Sequence, residues 1–164
     1  MNSPLNAARL RALLHYEPET GIFTRRIGVR GFAAGSIAGV FHRQSGYTII
    51  GVDRRKYRAH RLAWLCMTGE WTDEVDHRDT DRANNRWANL REATRSQNNA
   101  NMSLRRDNSS GAKGVSWDGK NKRWKACIVV SGRQHHLGRF NLRDEAAAAY
   151  FAAATAHYGE FARA

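Results

Sequence analysis

An α+β fold is predicted, and three observations predict it. Residues 5–15, LNAARLRALLH, carry Leu5, Leu10, Leu13 and Leu14 at helical spacing. Between Ile22 and Arg58 the chain changes to short β-like runs, GIFTRR, GSIAGVF and GYTIIGV, punctuated by Gly35, Gly39 and Gly46. Residues 123–130 then alternate, with Trp124, Ala126, Ile128 and Val130 against Arg123, Lys125, Cys127 and Val129, ahead of an alanine-rich helix.

Taken in order, the helix of residues 5–15 is broken by Pro18, Thr20 and Gly21, and Arg25, Arg26, Arg30, Arg54, Arg55 and Lys56 decorate the β-rich stretch after it. Residues 59–68, AHRLAWLCMT, read as a short buried helix stopped by Gly69. Residues 75–77 form a short strand, 78–89 a polar loop and 90–92 a second strand. Thr94 and Gln97 fit a capping box that opens a helix running to about Met102. Residues 103–112, SLRRDNSSGA, read as a linker. After it come three strands, KGVSW, RWKACIVV and RQHHLGRF, and a helix over about 142–157 that Asn141 can cap and whose first turn holds Asp144 and Glu145. The expected organisation is an N-terminal helix and β-rich region over 1–58, which can stand apart or belong to the same domain as the core that follows, a core over 59–102 whose residues 75–102 read strand–loop–strand–helix, the linker, and a three-stranded antiparallel sheet packed on one helix over 113–164.

Composition narrows the function. The 164 residues hold 27 basic and 15 acidic side chains, a net charge of +12, which marks a partner of polyanions. The charge is interleaved with aromatics and glycine rather than gathered on one amphipathic helix, so duplex nucleic acid is expected and a membrane surface is not. No apolar run approaches membrane-spanning length, and MNSPLNAARL lacks the apolar stretch of a signal peptide, so the chain is expected in the cytoplasm. Cys66 and Cys127 stand far apart with no Cys-x-x-Cys pair, which argues against a zinc knuckle and a disulfide scaffold.

The chemistry gathers in VDHRDTDRANNRWANLREATRSQNN. Asp76 and Asn98 offer the hard oxygen donors that Mg²⁺ takes, and His77 beside Asp76 can receive a proton from water near neutral pH. Asn89 lies between them. Asn84 and Asn85 read as loop formers. His60 reads either as a packed or capping histidine or as a site residue. Arg82, Arg86 and Arg91 read as phosphate clamps or as solvated side chains.

With AHRLAW upstream, this stretch resembles the HNH class of ββα-metal nucleases over residues 59–102. It is closest to the phage and homing-endonuclease branch in which asparagine replaces the last histidine. Asp76-His77, the Asn-Arg-x-x-Asn-Leu of 85–90 and the Ser-x-Asn of 96–98 carry the likeness together. The resemblance implies a ββα-metal core in which Asp76 and Asn98 hold one Mg²⁺ (or Mn²⁺) ion per site. His77 is then the general base, and Asn89 keeps loop and strand in register. The ion polarises the phosphate and stabilises the departing 3′ oxygen, leaving 5′-phosphate and 3′-hydroxyl ends. KGVSW … RWKACIVV … HHLGRF … DEAAAAYFAAATAHYGEFA is similar to the plant Apetala-type (ethylene-response-factor) DNA-binding domain. That likeness implies a sheet in the major groove, with Lys113, Ser116, Arg123, Lys125 and His136 on the DNA side. Trp124 is expected in the core, and Trp117 fits either place. Lys, Ser, Asp118 and Val129 stand where the plant family has arginines, so its base specificity does not transfer.

The expected function is a homing-type endonuclease of phage or mobile-element origin acting on double-stranded DNA, as a monomer or a DNA-bound dimer. The alternative is a non-catalytic, sequence-specific DNA-binding regulator with a relic nuclease motif. A weaker third reading is an RNA-binding or RNA-cleaving module.

Overall fold

The computed structural model describes residues 5–29, 31–105 and 107–163. Arg30 of the basic decoration, Arg106 of the expected linker, the first four residues of the N-terminal segment and Ala164 lie outside them. Within the described residues are four α-helices and several small antiparallel sheets, and no helix is long and apolar enough to cross a membrane. The chain divides into two compact units, residues 1–93 and 94–164.

In the first unit, helix α1 (Ala7–Leu13) is capped by Asn6, whose Oδ1 accepts the Arg9 amide at 2.9 Å. The helix is shorter than the leucine spacing predicts. Leu14 leaves it to begin β1 (Leu14–Glu17), because its backbone pairs with Arg25 of β2 (Ile22–Arg25). That non-local pairing overrides the local periodicity. The turn between the strands closes on the Gly21 amide, which donates to the Glu17 carbonyl at 2.8 Å. Strand β3 (Ile37–Ala38) completes this sheet in the order β1-β2-β3. A second sheet, β4 (Val40–His42), β5 (Tyr47–Val52) and β6 (Arg55–Arg58), is a meander.

Strand β6 runs directly into α2 (Ala59–Thr68). That helix keeps its predicted bounds, and Gly69 at φ 88° returns its amide to the Leu65 carbonyl. Leu62, Ala63 and Leu65 are fully buried and pack with Leu10, Phe23 and Ile50 in one core. Each of the larger of these side chains contributes about 1.5–3 kcal/mol by leaving water. Strands β7 (Glu74–His77) and β8 (Leu90–Ala93) form a two-stranded ribbon in which Asp76 faces Arg91 and His77 faces Leu90. The loop between them ends in a 3-10 turn over Trp87–Asn89.

In the second unit, Thr94 opens helix α3 (Arg95–Asn101) through the capping box read from the sequence. Its Oγ1 accepts the Gln97 amide, and the Gln97 side chain accepts the Thr94 amide. The helix ends one residue earlier than expected. The boundary at Ala93/Thr94 assigns α3 and the expected linker to this unit. Two features explain the grouping: Ala100 and Asn101 are buried, and the Lys113 ammonium donates to the Ala100 carbonyl at 2.9 Å. The expected linker is itself knitted. Asn108 and Ser110 both donate to the Ala112 carbonyl, and Ser110 is buried.

Strands β9 (Val115–Asp118), β10 (Arg123–Val130) and β11 (Arg133–Phe140) form an antiparallel sheet with β10 in the centre. A bulge between Ala126 and Cys127 shifts the β10–β11 register. Helix α4 (Arg143–Tyr158) packs Ala146 and Ala147 against Val115, Ala126, Trp124, Leu137 and Phe140. Its N-cap is Leu142 rather than the expected Asn141. The Glu145 carboxylate accepts the Leu142 amide at 3.3 Å, so an acidic side chain in the first turn satisfies the helix end.

Gly114 sits at φ 64°, and a Cβ there would stand 2.2 Å from Tyr150 Cδ2 and 2.4 Å from the Cys127 carbonyl oxygen. Gly114→Ala is expected to cost about 2 kcal/mol or more. Gly119→Ala, which would meet open space, is expected to change stability by less than about 0.5 kcal/mol. Denaturant unfolding of the two variants checks the contrast; equal midpoints would refute it.

Candidate active site

The loop of residues 78–89 is rich in Asp and Asn, whose short side chains hydrogen-bond nearby backbone. Here they knit it shut. The Asp79 carboxylate accepts from Asn84 Nδ2 at 2.6 Å, Asn89 Nδ2 at 2.9 Å and the Asp81 amide at 2.8 Å. Asn89 returns its Oδ1 to the Asp79 amide and donates to the Asn84 carbonyl at 2.8 Å. The Arg78 amide donates to the Asn89 carbonyl, so Asn89 ties the loop to the end of the histidine strand. Burial raises the Asp79 pKa, but the bonds from Asn84, Asn89 and the Asp81 amide outweigh it and hold it below the ordinary value. Sequence reading passed over Asp79; the run Asp-Thr-Asp-Arg-Ala-Asn-Asn was the available signal.

The first hairpin seats this loop. The Tyr16 hydroxyl donates to the Asn85 carbonyl at 2.7 Å, and the Trp87 amide donates to the Pro18 carbonyl at 3.0 Å. Gly21 lies so close that a Cβ would come within 2.4 Å of the Asn85 carbonyl carbon. Asn85 is thereby buried, and its Nδ2 donates to the Ala83 carbonyl. That bond turns Oδ1 towards His77 Nε2, at 3.4 Å. With Oδ1 as acceptor, the His77 proton belongs on Nε2 and the ring lone pair on Nδ1. Asn85 therefore orients the histidine as well as forming the loop, a role set by neighbours distant in sequence.

His77 is buried, and burial lowers its pKa more than the Asn85 bond and the nearby Asp79, Asp76 and Asp81 raise it. Asp76 beside it is also buried, and its Oδ2 accepts Arg91 Nε at 2.9 Å and Nη2 at 2.8 Å. This corrects the expectation for Arg91 as a DNA clamp. Its side chain is only 6% exposed and is ion-paired across the ribbon, because the register sets it opposite Asp76. Arg82 and Arg86 are exposed as expected.

His60 is a packed neighbour of His77, with rings 4.8 Å apart and edge to face. It is 3% exposed, and its Nδ1 is the one buried side-chain polar atom among the described residues without a hydrogen-bond partner. Burial first, then His77, Arg58, Arg61 and Arg82, push its pKa down to about 2.

Asn98 belongs to the second unit. It stands in the first turn of α3, where its amide donates to the Thr94 carbonyl at 2.9 Å. The other expected DNA residues divide. Strand register gives Ser116, Arg123 and Lys125 one face of the sheet, and His136, exposed, pairs with Cys127 on it. Arg139, unremarked in the sequence, joins them as the partner of Lys125 and donates to Asp118 at 2.8 Å. Lys113 is directed inward instead. Its ammonium donates to the Ala100 and Arg163 carbonyls, and burial lowers its pKa. Trp124 packs on the core as expected, whereas Trp117, edge-on to it, is 53% exposed.

Comparison with known proteins agrees with the motif. Residues 57–100 match a family model described as HNH endonuclease. The chain is 34% identical over 108 residues to Protein 3.8 of Escherichia phage T7, covering 65% of this chain and 88% of that protein. The chain belongs to the HNH endonuclease family. It is also 35% identical over 122 residues to a protein of Acanthamoeba polyphaga mimivirus named Uncharacterized HNH endonuclease L560, over 73% of this chain and 62% of that one. Membership makes the protein a nuclease and points to activity on DNA. The buried histidine pair of this HNH endonuclease has a cost in acid. The folded His60 ring takes a proton only near pH 2, whereas an unfolded histidine titrates near 6.5. Below pH 6.5 the unfolded chain binds the extra proton, and stability falls as pH drops, by roughly 1 kcal/mol per unit for this group. Thermal unfolding at pH 7 and pH 5 is expected to show the loss, and His60→Phe a smaller one; equal losses would refute the assignment.

Proposed function

We propose that the protein is a metal-dependent endonuclease of the homing type. It hydrolyses phosphodiester bonds of duplex DNA to 5′-phosphate and 3′-hydroxyl ends and is targeted by its C-terminal sheet. The observation that carries the catalytic part is His77: a buried, neutral imidazole next to the Asp76 carboxylate, with its tautomer set by Asn85. Such a ring accepts a proton from water and can release it again near neutral pH.

The donor chemistry suits a hard divalent ion. Asp76 offers carboxylate oxygen, and Arg91 holds that carboxylate in a fixed orientation. Asn98 offers an amide oxygen, and its part rests on the family resemblance. Among the described residues no group of three His, Cys, Asp or Glu side chains could hold a metal. An ion bound through so few side chains keeps several waters, as Mg²⁺ does, and Mn²⁺ suits the same oxygen donors. When bound, it supplies Lewis-acid stabilisation of charge on the phosphate and the leaving oxygen. The residues of the chain take the other roles: His77 removes the proton from the attacking water, Asn85 keeps the ring aimed, and Asn89 keeps the loop closed.

The second unit supports the targeting part. Its three-stranded antiparallel sheet backed by a helix is the arrangement that the Apetala-type resemblance implies. Ser116, Arg123, Lys125 and His136, with Arg139, give one face donors for phosphate and base edges. A metal site that meets mainly phosphates selects little sequence, and a tethered reader raises its effective concentration at chosen sites. The viral relatives support a phage or mobile-element origin.

Supercoiled plasmid with Mg²⁺ tests the catalytic part. Strand breakage is expected, with His77→Ala slower by about 10² or more and excess chelator abolishing it. Cleavage by His77→Ala at the wild-type rate would remove the base, and cleavage in chelator would remove the metal. Arg123→Ala with Lys125→Ala tests targeting. The pair is expected to weaken duplex binding and to lower the slope of log affinity against log salt by about one for each phosphate left without its cation. An unchanged slope would remove that face from the interface.

A further inference from the structure

One cluster beside His77 is used by neither the proton-transfer nor the targeting role. Tyr47, on β5, has its ring 5.0 Å from His60 and 6.2 Å from His77. Two guanidiniums pack on the same ring: Arg58 Cζ at 4.4 Å and Arg82 Cζ at 5.1 Å from its centroid. They come from different elements, the end of β6 and the active-site loop. Arg82 is anchored by a 3.1 Å bond from Nη1 to the Ser45 carbonyl. Both arginines are exposed, and neither has a carboxylate partner among the described residues.

Two like charges on one half-buried ring repel each other and have to be held by the fold. Stacking on tyrosine recovers some of that cost through cation–π attraction, worth about 0.5–2 kcal/mol for each. It also fixes the planar forks ready for two-point contact with an anion. Arg58 is the N-cap of α2 and makes no side-chain capping bond, so the positive end of a ten-residue helix adds to the same field. Tyr47 brings both guanidiniums to the histidine pair, and after burial and His77 their charge adds to what keeps His60 neutral. An arrangement of this kind is suited to a bound polyanion.

We propose that Arg58 and Arg82, stacked on Tyr47, form a phosphate clamp that seats a DNA backbone phosphate next to the bond addressed by His77. The clamp rests on the reading of His77 as the base of a DNA endonuclease, and it assigns part of the N-terminal β-rich region to the substrate. It differs from the C-terminal reader in what it does. The clamp holds backbone without regard to sequence and sets which phosphate lies over the site.

The test uses the full chain, a labelled 30-base-pair duplex of random sequence in chelator for binding, and supercoiled plasmid with Mg²⁺ for cleavage. Arg58→Gln with Arg82→Gln is expected to lower the salt slope of binding by about two and to slow cleavage at 100 mM salt by about tenfold or more, with an unchanged unfolding midpoint. Tyr47→Leu removes no charge, yet it frees both forks and is expected to slow cleavage as well. If it lowers the unfolding midpoint, the double arginine variant decides. His77→Ala is expected to keep the wild-type salt slope while losing cleavage. A double arginine variant with the wild-type slope and cleavage rate, beside an inactive His77→Ala, overturns the clamp and leaves the active-site reading standing. Cleavage by His77→Ala at the wild-type rate overturns that reading, and the salt slope still judges the clamp.

Discussion

The seating of Asn85 against the first hairpin is the constraint on which the active-site region depends. Its carbonyl takes the Tyr16 hydroxyl, its backbone lies where only a glycine at position 21 leaves room, and its side chain faces His77. A buried amide with those commitments has one workable orientation, because rotating it would leave the Ala83 carbonyl and the imidazole nitrogen mismatched. The loop of residues 78–89 is therefore held by the hairpin at 85–87 and by Asn89 on Arg78 and Asp79, just after the histidine strand. The β-rich N-terminal region thus belongs to the same packed unit as Asp76, His77 and Asn89 and seats the loop that joins them.

Electrostatics in this unit follows from where charges are allowed to face water. Asp76 and Arg91 are buried as a pair, His60 and His77 are buried as neutral rings, and the exposed Arg58 and Arg82 stack on Tyr47. A buried ion pair is a weak source of stability, and its better-attested value is in fixing geometry. Here the geometry fixed is that of a carboxylate next to the histidine. The second unit makes a different use of charge. Its core is small, with Val115, Ala126 and Ala146 at the centre, and its basic side chains spread over a sheet face.

Elements whose signals are local were legible in the sequence. Helix α2 begins and ends as read, because Gly69 terminates it and its leucines face one core. The capping box at Thr94 formed with both of its bonds. Strands β9 to β11 kept their bounds to within two residues because glycine and asparagine punctuate them. What was missed depends on partners far along the chain. Leu14 left its helix for a strand partner in β2, and Arg91 turned inward to a carboxylate fifteen residues away. Asn85 acquired a hairpin sixty-nine residues upstream. The motif residues Asp76, His77 and Asn89 were legible as types, but the partners that aim them were not.

The boundary at Ala93/Thr94 bears on how such a gene can be shuffled. The segment that matches the family model, residues 57–100, runs across it, so the stretch recognised by sequence is not the stretch that packs together. A crossover in residues 103–112 would keep the motif in one piece but part α3 from the helix and sheet it folds with. A crossover at the packing boundary would spare both folded units, and the incoming module would then bring its own helix and its own counterpart of Asn98. Recombination that preserves folding therefore exchanges the end of the motif together with the sheet and helix of the second unit. Lineages that acquired a new second unit in this way would be expected to vary most at the third motif position and least at the Asp-His pair.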